Sequence, residues 1–172
     1  TGGLMIGTPS TDVIRGSLES ARQHNLPHEI LDASELGRRF PLFTLSSDEV
    51  ALYEHKAGYL LPEKAIRQML KQATCLGADL HFEEPVEAWT VDDSNGRVQV
   101  KTAIATYEAD RLIICSGAWA PQVLSALGLP LTVTRQVMFW FDPIGGITPF
   151  LPHHFPIYMW QPNGSRLFYG FP

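Results

Sequence analysis

The sequence predicts a mixed fold, part α/β and part α+β, and three observations carry that prediction. Residues 62–74 set Ala65, Ile66, Met69, Leu70 and Ala73 on one face of a helix. Three β-type runs between Val86 and Tyr107 are separated by turn signals and read as a small antiparallel meander. Leu112–Cys115 is apolar without alternation, as in a strand covered on both faces of an α/β sheet.

Taken in order, Gly3-Leu4-Met5-Ile6 reads as a glycine-flanked strand. Ser10–His24 carries Val13, Ile14, Leu18 and Ala21 near helical spacing and stops before Asn25 and Pro27. Asp32-Ala33-Ser34-Glu35 reads as a variant capping box, with the Asp32 carboxylate taking a free amide and Glu35 reaching back, ahead of a short helix ending near Pro41. Val50–Glu54 and Gly58–Leu61 read as strands around a turn, and Pro62 suits the first turn of the helix that Gly77 terminates. Ala78–Phe82 follows as a further run, then Val86–Val91, Val98–Thr102 and a shorter one around Ile104–Tyr107. Asp92-Asp93-Ser94-Asn95-Gly96 favours a hairpin, because Asn and Gly tolerate positive φ. Leu131–Phe141 and Phe155–Phe171, rich in aromatic and β-branched residues, read as long antiparallel strands.

Composition narrows the function classes. A chain of 172 residues that is 45% hydrophobic and 18% charged has the means to build a core. A net charge of −5 with 13 Lys and Arg and no basic stripe argues against a nucleic-acid surface. No apolar run reaches membrane-spanning length and no signal peptide opens the chain, so neither membrane insertion nor export is expected. Cys75 and Cys115 lack metal-ligand spacing and sit among apolar neighbours, so free buried thiols and a cytoplasmic location are the expectation. The chain starts at Thr1 beside one strand and stops at Pro172 inside another, which reads as an internal piece of a longer protein.

The turn after Cys115 is the candidate ligand edge. At the carboxyl end of a parallel strand, Gly117 lets the backbone approach a ligand, and Ser116 offers a hydroxyl beside exposed amides. His153-His154 lies between Pro152 and Pro156 with no carboxylate or cysteine at ligand spacing, so no metal site is expected. Arg135 suits domain packing better than substrate binding, and Gly2-Gly3 through Gly7 lacks the context of a phosphate loop.

Five segments in register give the sequence a resemblance. "ADRLIICSGAWAPQVL", preceded by "SNGRVQVKT", resembles the flavin domain of the FAD-dependent amine oxidases in the D-amino acid oxidase superfamily. "AGYLLPEKAIRQML", "TRQVMFWFD" and "QPNGSRLFYGFP" are similar to the monomeric sarcosine oxidase and N-methyltryptophan oxidase family, and the likeness covers essentially the whole chain. It implies a partial two-lobe flavoprotein oxidase fold, with 1–60 and 127–172 in a substrate-binding lobe and 61–126 in the FAD-binding lobe.

The resemblance also implies residue roles. Val86 would set its backbone amide and carbonyl against the adenine of FAD, and Ser116, Gly117, Ala118 and Trp119 would border the ADP portion. Trp119 reads equally as a core aromatic at a helix start. Tyr169 would face substrate above the flavin ring, against the alternative of a strand aromatic on a half-buried sheet. Asn163–Tyr169 is one or two residues longer than in the relatives, which leaves open which of Tyr158 and Met159 faces the pocket.

The same resemblance puts several family parts outside this segment: the Gly-x-Gly-x-x-Gly turn for the pyrophosphate, the flavin-attaching cysteine, the lysine that promotes reaction with oxygen, and the Arg and Lys that bind the substrate carboxylate. The chain by itself is therefore expected to be inactive and to retain no FAD. The full-length protein would be a monomeric oxidase of a secondary amine such as sarcosine or another N-methyl amino acid. O2 would be its acceptor, with imine or aldehyde and H2O2 as products. Another FAD-dependent amino-acid oxidase or dehydrogenase, or a non-enzymatic β-rich binding module, are the alternatives. A Gly-x-Gly-x-x-Gly upstream would support an enzyme.

Overall fold

The computed structural model describes residues 1–92, 94–162 and 166–172. Its elements run in the order β1 (Gly3–Gly7), α1 (Asp12–Gln23), β2 (Glu29–Leu31), α2 (Ala33–Arg39), β3 (Val50–Glu54), α3 (Pro62–Cys75), β4 (Val86–Val91), β5 (Val98–Thr102), β6 (Thr106–Ala109), α4 (Ala120–Val123), β7 (Ile157–Gln161) and β8 (Phe168–Gly170). The chain divides into two compact units, Thr1–Ala65 with Trp140–Pro172, and Ile66–Phe139.

The first unit is built on a five-stranded sheet in the order β2-β3-β1-β7-β8. β1 runs antiparallel to β3 and parallel to β7, although β7 lies at the far end of the sequence. Strand alternation sends Leu4, Ile6, Leu31, Ala51 and Tyr53 to one face, where they close over Leu36 of α2 and Phe43, with Phe40, Leu45, Phe155, Tyr158 and Trp160 packed around them. Fully burying one aliphatic side chain of this kind contributes about 1.5–3 kcal/mol. Leu52, Met5, Met159 and Tyr169 sit in one row on the opposite face, each the register partner of the next across β3, β1, β7 and β8. Helix α1 covers part of that second face with Ile14 and Ala21, leaving a groove lined by Met5, Ser20, Ala21, Leu26, His28 and Leu52.

Local signals explain how the helices begin and end. Asp32 Oδ1 accepts from the Glu35 amide at 2.8 Å, but Glu35 spends its carboxylate on Arg38 at 2.7 Å instead of reaching back, so only half of the expected capping box forms. Helix α1 has no side-chain cap of its own; the amide of Val13 donates to Gln161 Oε1 at the end of β7, 3.1 Å away. Helix α3 closes with Ala78 donating to Ala73 and Gly77 to Thr74, both at 3.0 Å, and Gly77 takes the left-handed φ of +92° that this pair of bonds requires.

Gly170 faces a different constraint. A Cβ there would lie 2.5 Å from Tyr158 Cε1, and that ring is itself held by Phe43 and Phe155 at centroid distances of 5.4 and 5.9 Å. Gly170→Ala is therefore expected to cost about 1–2 kcal/mol by overpacking, read as a lower denaturation midpoint at unchanged m-value. A midpoint equal to the parent's would show that the Tyr158 ring yields freely.

The second unit holds the three-stranded antiparallel meander β4-β5-β6. Asp92 and Arg97 close its first hairpin with a 2.8 Å bond, and Gly96 sits at φ +69°; Asp93 of that connector lies outside the described residues, as do Asn163–Ser165 of the lengthened segment before Tyr169. Trp89 of β4 donates its indole N–H to the Val123 carbonyl at 2.9 Å, which ties α4 to the meander.

Several expected strands do not form. Gly58–Leu61, Ala78–Phe82, Leu131–Phe141 and Leu112–Cys115 carry no strand pairing, and Ile113 is 86% exposed. The last expected run of the meander is displaced to Thr106–Ala109, and Phe155–Phe171 contains two short strands where long ones were expected. An apolar run becomes a strand only where a neighbour supplies its ladder bonds, and composition alone does not supply one. Helix α3 forms as expected but buries none of its apolar face, and Cys75 and Cys115 are free but exposed, not buried. Among the described residues no helix is long and apolar enough to cross a membrane.

Candidate functional site

The residues expected to touch a cofactor all belong to the second unit. Val86 opens β4, half exposed and opposite Thr102, and the register slips between Val86 and Ala88, so the ladder is interrupted where the strand begins. Ser116 caps the 3-10 turn Gly117–Trp119, whose first residue takes φ +54°. The Ser116 hydroxyl oxygen is enclosed yet has no hydrogen-bond partner among the described residues. Such a group is costly to leave unmade, which is a reason to look for a ligand there. Space is open beside Gly117, Ala118 is exposed, and Trp119 is 66% exposed and thus not packed as a core aromatic of this unit.

A polar cluster that the sequence reading did not single out lies immediately before Val86. Glu84 Oε1 accepts from Thr102 Oγ1 at 2.6 Å and from the Tyr107 phenol at 2.8 Å. Its Oε2 faces His81 Nδ1 at 2.9 Å, while His81 Nε2 faces Asp79 Oδ2 at 3.1 Å. The Glu84 side chain is only 7% exposed. The hydrogen bonds from Thr102 and Tyr107, with His81 behind them, hold the Glu84 carboxyl below the usual carboxylate range. Asp79 and then Glu84 raise His81 above the ordinary imidazole value, and Glu84 raises the Tyr107 phenol. "DLHFEEP" contains the local half of this cluster, but Thr102 and Tyr107 reach it only through the meander.

The residues expected to face substrate belong to the first unit. Tyr158 turns to the packed face, in edge contact with Phe43 and Phe155. Met159 and Tyr169 are register partners on the other face, and Tyr169 is 48% exposed with its ring edge-on to Phe171. The Tyr169 hydroxyl has no hydrogen-bond partner among the described residues. Behind this strand Trp160 donates its indole N–H to Glu49 Oε1 at 2.7 Å, and Glu49 Oε2 accepts from the Ser46 amide at 2.9 Å, so a buried carboxylate fixes the strand's packed side.

Comparison with known proteins gives concordant results. The family model described as "DAO: FAD dependent oxidoreductase" matches residues 1–172. Monomeric sarcosine oxidase of Streptomyces avermitilis is 51% identical over 172 residues, all of this chain and 44% of that protein. N-methyl-L-tryptophan oxidase of Yersinia pestis is 29% identical over 171 residues, again 44% of its length. The open form of NikD, described as an unusual amino acid oxidase essential for nikkomycin biosynthesis, superposes with a TM-score of 0.72 at 21% identity, over 99% of this chain and 44% of that one. The chain thus spans under half the length of these relatives.

Proposed function

Because this chain belongs to the FAD dependent oxidoreductase family, we propose that it is the central part of an FAD-dependent oxidase of secondary amines, sarcosine or another N-methyl amino acid. The observation that carries the reading is the 51% identity to a monomeric sarcosine oxidase over the entire chain. FAD, when bound, supplies the acceptor for the two electrons and hydrogen of the substrate C–N bond, leaving an imine that water hydrolyses while O2 takes the electrons to give H2O2.

The chain's own residues would bind and orient. Val86 offers backbone groups to the adenine at an interrupted ladder, and the unpartnered Ser116 hydroxyl, with the open turn at Gly117 to Trp119, suits the ADP portion. Both features fit an adenosine diphosphate edge, and the absence of a Gly-x-Gly-x-x-Gly from the 172 residues limits them to that edge. Tyr169 and Met159 would line the substrate side, with Tyr158 serving as packing behind them. In this reading 61–126 belongs to the FAD-binding lobe and 1–60 with 127–172 to the substrate-binding lobe.

The test uses the protein encoded by the complete gene. It is expected to purify with flavin, to lose its visible flavin absorption when sarcosine is added without oxygen, and to release one H2O2 per sarcosine in air. The 172-residue chain by itself is expected to purify without flavin. A complete protein that binds flavin but is bleached by no N-methyl amino acid would overturn the substrate assignment.

A further inference from the structure

We propose that Glu84, held by Thr102, Tyr107 and His81, is a positioning residue that fixes the approach to Val86 and so sets the affinity for the adenosine end of FAD, with His81 making that affinity depend on pH. The inference rests on the assignment of Val86 to the adenine given above.

The geometry carries it. Residues 83–85 lead straight into Val86, and the backbone there is not in a relaxed state: Glu83 takes φ +56°, a left-handed conformation that a non-glycine residue keeps only when its surroundings impose it. Pro85 has no amide to donate, so the approach gains no ladder bond at that position. What holds the approach is the Glu84 carboxylate, which reaches down to β5 and β6 and has both oxygens engaged. Thr102 is itself buried, and its hydroxyl also accepts from the Ala105 amide at 3.1 Å, so the anchor point is the rigid turn between the two strands. Because Val86 and Thr102 are register partners, the anchor lies directly across from the residue it would position.

The pH dependence follows from the groups around His81. Those facing it are Asp79 and Glu84 on its own segment and Tyr107 from β6, whose hydroxyl is 3.1 Å from Nδ1 and whose ring meets the imidazole edge-on at 4.9 Å. Two carboxylates favour the imidazolium, so its folded-state value is raised above 6.5. A raised value means that the clamp is complete below the ordinary imidazole value and weakens as pH rises through the raised one. Glu84 has the opposite sign: its contribution is present above the usual carboxylate value of 4.5 and is lost only as pH falls through its lowered one. Tyr107 stays protonated throughout, because its shift is upward from 10.0. The clamp is therefore strongest from weakly acidic to neutral pH and relaxes on the alkaline side.

The experiment titrates ADP, as the adenosine-end probe, by calorimetry into the complete protein produced flavin-free in riboflavin-starved cells, so that a covalently attached flavin does not occupy the site. Glu84→Gln, which keeps the shape but loses the charge, is expected to weaken ADP binding about tenfold through lost charge-assisted hydrogen bonds. His81→Gln is expected to flatten the fall in affinity between weakly acidic and alkaline pH, a readout that a merely structural role for His81 would not move. Wild-type affinity in Glu84→Gln, or an unaltered pH profile in His81→Gln, would overturn the proposal. If Glu84→Gln does not fold, the half-exposed His81 and the isosteric Thr102→Val decide the matter by the same titration. A wild-type protein that binds neither FAD nor ADP would overturn the flavoprotein reading itself, and that result is distinct from unchanged variants of a protein that does bind.

Discussion

Ile6→Ala is expected to destabilise the protein by about 2–5 kcal/mol, the range for deleting a large aliphatic side chain from a packed core. Ile6 is fully buried in the middle of the five-stranded sheet, with Ala51 beside it on β3 and Trp160 on β7. The site has little means of collapsing into the space left behind. Ala51 is too small to extend into it, and Trp160 is tethered through its indole N–H to the buried Glu49 carboxylate. The transfer loss and the cavity cost should therefore both appear, placing the variant away from the low end of the range. Urea unfolding measures it as a shift in midpoint at constant m-value, with Glu19→Ala on the exposed side of α1 as a comparator expected to stay within about 0.5 kcal/mol of the parent. If the two variants unfolded together, the packed face of β1 would not be the core of this unit.

The legible parts of this fold are those whose signals are local. Helical spacing marks α1 and α3, Asp32 marks a helix start, and the Asn-Gly turn marks the first hairpin of the meander, because each depends on residues within a few positions of one another. The pairing of β1 with β7 depends on two segments separated by about 150 residues and has no local trace. Leu112–Cys115 shows the limit from the other side. Its composition is that of a covered strand, yet composition does not supply the neighbour that a strand needs, and the segment is exposed. The site divides in the same way. The turn at Ser116-Gly117 is legible because glycine is required where φ is positive, whereas Glu84 gains its meaning from Thr102 and Tyr107, which only the meander's register brings to it. The choice between Tyr158 and Met159 is likewise a question of register. Alternation says that they face opposite ways, and only the pairing with β8 says which shares a face with Tyr169.

That shared face underlies the other large effect. In the complete enzyme Tyr169→Phe is expected to lower kcat/KM by roughly 5- to 150-fold, the equivalent of about 1–3 kcal/mol for a hydrogen bond lost in a dry site, while leaving the melting temperature unchanged. The separation of the two readouts follows from the surroundings of the side chain. Its ring contacts Phe171 at a centroid distance of 6.0 Å and its register partner is Met159, contacts that phenylalanine preserves. Its hydroxyl bonds to nothing among the described residues, so its removal takes no internal hydrogen bond from the fold. A tyrosine kept only for packing would make Tyr169→Phe silent in both measurements, since the ring does all the packing. Tyr158 is the control. Its ring is wedged among Phe43, Phe155 and the bare backbone of Gly170, so Tyr158→Ala is expected to lower the melting temperature sharply, whereas Tyr158→Phe should leave kcat/KM near the parent value. Should Tyr158→Phe reduce kcat/KM and Tyr169→Phe leave it intact, the roles of the two sheet faces would have to be exchanged.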